Sequence, residues 1–76
     1  MSLTESQIKM MQEDISADLV EMLMIKWNCS METALGMLYN SETFERLQDA
    51  KTCLYIQSSG YVYSFLEQEL TTGKFA

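Results

Sequence analysis

The side chains in this chain that could do chemistry are eleven Asp and Glu and two cysteines, set against five Lys and Arg and no histidine. Without histidine, the commonest general base, the commonest zinc ligand and the one unperturbed switch near neutral pH are all missing. Glu13 and Asp14 come nearest to a carboxylate pair. Adjacent residues on a helix do not face each other, however, and no third group nearby completes an acid–base site, so they read as a solvated face. Cys29 and Cys53 have no CxxC or CxxH neighbour. Two thiols are too few soft ligands for zinc, and neither has the base that would activate it as a nucleophile, so both read as small buried hydrophobes. No glycine-rich phosphate loop is present. The expectation is a chain that is not an enzyme, with no catalytic residue, no metal site and no cofactor.

The formal net charge is −6, with the acids spread along the chain. Such a surface repels polyanions, since nucleic-acid binding relies on basic side chains that displace counterions; DNA and RNA are disfavoured as partners. The densest apolar run, 19–27, is too short to span a bilayer and is interrupted by Glu21 and Lys26, so no membrane partner is expected either. With no targeting segment and so few cysteines, a reducing cytoplasm is the expected compartment.

At 76 residues, 47% hydrophobic and 21% charged, the chain has the size and composition of one folded domain. Folding a chain of this mass removes about 8,000 Å² from water. With a little over half of that apolar, at about 25 cal/mol/Å², burial is worth about 110–120 kcal/mol, against about 110 kcal/mol of ordering entropy. Burial within the chain alone is therefore marginal, and a partner surface would add to it.

With no proline and three glycines, the punctuation falls to Ser, Thr, Asn and Asp. Ser2 and Glu5 fit a capping box that opens a first helix over about 3–27, with Asn28 as a left-handed stop. At 100° per residue, Ile8, Met11, Ile15, Leu19, Met22 and Leu23 share one face of it. Ser30 caps a second helix on which Met31, Ala34, Leu35 and Leu38 fall on one face. Asn40 and Ser41 close it and open a short third helix, 42–48, using Phe44 and Leu47. After a polar loop at 49–51, the run TCLYIQ at 52–57 is rich in strand-favouring residues, with Leu54 and Ile56 on one side and Cys53 and Tyr55 on the other. With no second strand candidate, it reads as an extended connector packed on the helices, the alternative being a strand that pairs with a copy of itself or with a partner's edge. Ser58 or Ser59 opens a last helix to about residue 70 that buries Val62, Phe65, Leu66 and Leu70, and 71–76 is a frayed tail. The fold class is all-α: one domain over 1–76, a small bundle of three or four helices with that single extended connector.

The first helix has a second apolar strip, Met10, Ala17, Val20 and Met24, roughly opposite the first and set among Glu13, Asp14 and Glu21. It reads either as the flank of a central helix packed on both sides or as an interface, for which flexible, polarizable methionine is well suited. Tyr55, Tyr61, Tyr63 and Phe65 form an aromatic set in the last third, which roofs the core or faces a partner. The second and third helices with their short turn also have the outline of a helix-turn-helix, but the would-be reading helix carries Glu42 and Glu45 against Arg46, the wrong sign beside phosphates.

The run 38–70, through Leu38, Tyr39, Ser41, Thr43, Leu47, Asp49, Thr52, Leu54, Tyr55, Ser58, Tyr61, Val62, Leu66 and Glu69, resembles a family of small uncharacterised bacterial helical proteins. It departs from that pattern at Cys53, where the family carries glycine. The resemblance covers under half of the chain and names no catalytic or ligand residue. It implies a bacterial protein encoded beside an ADP-ribosyltransferase-like toxin, with an accessory or antitoxin-like binding role. The functional expectation is a small acidic adaptor or antitoxin-like domain that binds another protein or a second copy of itself. Met10, Ala17, Val20, Met24, Tyr61 and Tyr63 are its expected contact residues; the alternative is an acidic dimeric helix-turn-helix regulator.

Overall fold

The structure is a computed structural model that describes residues 3–74. Four helices, α1 (Glu5–Lys26), α2 (Met31–Tyr39), α3 (Glu42–Gln48) and α4 (Ser59–Thr72), form a bundle about 40 × 23 × 18 Å in extent. Among the described residues there is no strand.

Local side-chain chemistry sets most of the boundaries. The expected cap at Ser2 lies outside the described residues, and the capping box is built by Thr4 and Gln7. Thr4 Oγ1 accepts from the Gln7 N–H at 3.1 Å and Gln7 Oε1 accepts from the Thr4 N–H at 2.8 Å. The helix stops as expected at Asn28, with φ +50°, where the Cys29 N–H reaches back to the Met24 carbonyl at 3.2 Å in a Schellman-type closure. Ser30, Ser41 and Ser58 cap α2, α3 and α4, each hydroxyl accepting from the amide three residues on.

The connector is not extended. Residues Ala50–Thr52 and Leu54–Ile56 form two successive 3-10 turns. Asp49 Oδ1 accepts from the Lys51 N–H at 3.0 Å, the Thr52 hydroxyl lies against the carbonyls of Arg46 and Asp49, and Cys53 takes a left-handed conformation with φ +59°. A strand sends successive side chains to opposite faces. Here neighbours Leu54 and Tyr55 are both buried while Ile56 is exposed, which does not follow the alternation of a half-buried strand. Cys53 is exposed as well, so it is not the small core hydrophobe expected of it. The tail also begins later than expected: Thr71 and Thr72 belong to α4, which ends at Gly73 with φ +81°; residues 75 and 76 lie outside the described part.

The core is one cluster. Ile15, Leu19 and Leu23 of α1 meet Ala34 and Leu38 of α2, Leu47 of α3, Leu54 and Tyr55 of the connector, and Val62 and Leu66 of α4. Two polar features close it on the α3–α4 side. Gln12 is buried on the apolar face of α1, and its Nε2 donates to the Leu47 carbonyl at 2.9 Å, which satisfies an end-of-helix acceptor of α3. Glu69 of α4 reaches the start of α3, its two oxygens accepting from the N–H groups of Glu42 and Thr43 and from the Thr43 hydroxyl at 2.7–2.9 Å.

Candidate groove between the first three helices

Where α1, α2 and α3 converge they leave an open groove of about 490 Å³. Its α1 wall is made by Glu13, Ser16, Ala17 and Val20. This wall exists because the apolar residues of α1 recur on two sides of the helix, and a single neighbour of nine residues covers only part of the second side. From α2 come Met31 and Tyr39, each 58% exposed, the half-buried Leu35 and the buried Leu38. Phe44 of α3 packs its ring against Tyr39, centroids 5.1 Å apart and planes inclined by 54°, and closes one end beside Gln48.

The lining is apolar at its floor and sparse in polar groups. The Ser16 hydroxyl donates to the Gln12 carbonyl of its own helix at 2.8 Å, and among the described residues Glu13 is the one charged side chain that lines the groove. The groove therefore offers an apolar floor with one carboxylate, that of Glu13, in its wall. Among the described residues no group of three or more Cys, Asp or Glu is arranged to hold a metal ion, and no helix is long and apolar enough to cross a membrane.

The residues expected to make contact do not form one patch. Ala17 is exposed and lines the groove; Val20 lines it too, but as buried floor. Met10 is 62% exposed, two turns before Ala17. Met24 is half-buried, packed against the core cluster. The two tyrosines part company for a geometric reason: residues two apart on a helix point about 200° from each other. Tyr61 is on the surface, edge-on to Phe65 with ring centroids 5.0 Å apart. Tyr63 is buried and belongs to the core, where its hydroxyl accepts from Trp27 Nε1 at 3.1 Å and its ring lies 5.4 Å from Lys26 Nζ. Burial pushes the Tyr63 hydroxyl above the usual tyrosine range, with Glu67 adding to the rise and the Trp27 bond opposing it.

Met31, Leu35, Tyr39 and Phe44 were not among the expected contact residues, although the sequence holds a signal for them. Between Ser30 and Asn40, α2 reads METALGMLY. At 100° per residue its apolar side chains span about 200° of arc, from Met37 round to Tyr39, which is more than one neighbour can cover.

Comparison with known protein families, with characterised proteins and with solved structures finds no match.

Proposed function

We propose that this is a small acidic protein-binding domain, of adaptor or antitoxin-like character, that takes an apolar segment of another protein into the groove between α1, α2 and α3. The observation that carries this reading is the exposure of Met31 and Tyr39 around a floor of Val20, Leu35 and Leu38, on a chain whose own burial is marginal. Exposed apolar side chains beside an apolar floor are surface that a partner would take out of water. The accessory role implied by the resemblance over 38–70 is one form of such binding. The two free thiols, Cys29 and Cys53, favour a reducing, cytoplasmic setting.

The rival, a helix-turn-helix regulator, has α2, the Asn40–Ser41 turn and α3 in its favour. Against it, Arg46 is tied to Glu42 of the same helix at 3.0 Å, so α3 offers phosphates a largely acidic face.

The test is NMR of methyl-labelled protein titrated with a partner identified by co-purification mass spectrometry. The Met31 and Leu35 methyl signals shift on binding, and the double variant Ala17→Gln/Met31→Gln, folded by circular dichroism, loses the partner. A partner whose binding leaves these methyl signals in place and the variant unaffected overturns the reading.

A further inference from the structure

We infer that the segment this groove takes is a cationic amphipathic helix, with Leu- or Met-type side chains on one face and Lys or Arg beside them. The inference rests on the protein-binding reading above and adds the chemistry of the partner. Two observations carry it.

The first is the backbone around the groove. Its long walls are α1 and α2, whose N–H and C=O groups are bonded within their own turns, and no sheet edge is present among the described residues. An extended peptide laid here would find no ladder to join and would leave its own amides unpaired. A helix brings its amides already paired and offers apolar side chains at i, i+3 or i+4, and i+7, spacing that suits a groove running between two helices.

The second is charge. Residues 10–25 together with all of α2 contain five acids, at 13, 14, 18, 21 and 32, and no Lys or Arg. At 100° per residue, Glu13, Asp14 and Glu21 fall within about 60° of Ala17 on α1, and Glu32 follows Met31 in the first turn of α2. Asp18 is turned towards α4, where it accepts from the Ser59 hydroxyl at 2.6 Å. Of the cations, Lys26 lies over the Tyr63 ring and Arg46 against Glu42, Lys51 is in the connector and Lys74 follows α4, while Lys9 shares the groove side of α1, one turn before Glu13. The groove thus has a greasy floor and a rim that is acidic on balance, Glu13, Glu21 and Glu32 against Lys9. A second copy, itself at −6, would bring like charge to that rim, whereas Lys and Arg flanks would complement it.

A display library of helical peptides tests this, with leucine fixed at i, i+4 and i+7 and every other position random, panned against the full chain. Selected peptides are then titrated by fluorescence anisotropy, beside charge-inverted versions, at low and high salt. The expected result is enrichment of Lys and Arg at the flanking positions and a loss of about tenfold or more on charge inversion at low salt, with the difference shrinking as salt screens it. Glu13→Gln/Glu21→Gln weakens binding several-fold, and Ala17→Gln/Met31→Gln weakens it by about tenfold or more. If inverted peptides bind as well, or the Glu variants change nothing, the cationic partner is overturned while the groove stands. If selected peptides bind Ala17→Gln/Met31→Gln as tightly as the parent, the groove reading itself fails. Sedimentation supplies a further outcome: a dimer that Ala17→Gln/Met31→Gln dissociates makes a second copy the occupant and overturns the cationic helix.

Discussion

One side of α1 is sealed against α3, α4 and the connector; the other is partly covered by α2 and left open towards α3. On the sealed side Leu19, Leu23, Leu47, Val62 and Leu66 are fully buried, and the polar groups that enter are bonded: Gln12 to Leu47, Tyr63 to Trp27, Glu69 to the first amides of α3. On the open side Ala17, Met31 and Tyr39 face solvent over a shallow floor. The difference is one of reach. At 1.5 Å per residue α1 is about 33 Å long, while α2, at nine residues, is about 14 Å. A short helix bound by a tight turn to one end of a long one cannot cover its whole second face, whatever its own hydrophobicity. The comparison teaches that sealed packing and exposed apolar surface are divided between two faces of the same helix.

The sharpest way to break that division is to substitute once on each side. Leu66→Ala on the sealed side is expected to lose about 2–5 kcal/mol, enough to unfold much of so small a domain, read by urea denaturation followed by circular dichroism. If it costs no more than a groove substitution, the two sides are not different.

Glu69 sharpens the sealed side. Burial pushes its carboxyl up, but the bonds from Glu42 and Thr43 outweigh that and hold it below the ordinary glutamate value of 4.5. A depressed folded-state value contributes stability that is present above the unfolded value and is lost as the pH falls through the folded one. Glu69→Gln should cost about 1–2 kcal/mol at pH 7. Its stability should also fall less steeply than that of the parent as the pH is lowered below 4.5. Parallel acid limbs for the two proteins would sink the assignment.

Cys53 sharpens the connector. A non-glycine residue at φ +59° carries left-handed strain, and its exposed side chain contributes no core packing. Cys53→Gly relieves the strain while loosening the unfolded chain, for a net gain of up to about 1 kcal/mol in the melting midpoint comparison. A loss would mean that the thiol makes a contact that matters.

The smallest effect belongs to the open side. Ala17→Gln should change stability by less than about 0.5 kcal/mol, because the site is already exposed and glutamine is a good helix former. A larger loss in denaturant titration would show that the groove is closed in solution.

Much of the fold was legible because it is written in short-range chemistry. A serine followed by an amide three residues on needs no distant partner to cap a helix, so Ser30, Ser41 and Ser58 gave their starts correctly, and Asn28 its stop. The connector was misread because Tyr55 and Ile56 favour strands only where a pleated, half-buried surface exists for them; Asp49 and Thr52, bonding to their own backbone, set turns instead. The candidate site was half legible. Periodicity showed that α1 is apolar on two sides, but not that Val20 would be floor, Met24 half-buried, or Tyr63 bonded to Trp27, thirty-six residues away.

The sequence by itself determined the all-helical class, most helix starts, and the acidic balance around the second strip of α1, since each is a property of neighbouring residues or of composition. Only the tertiary structure decided which face of α1 would be sealed and which would remain a groove. That choice depends on the reach of α2 and on where α3 and α4 dock, distances between residues far apart in the chain that no local pattern encodes.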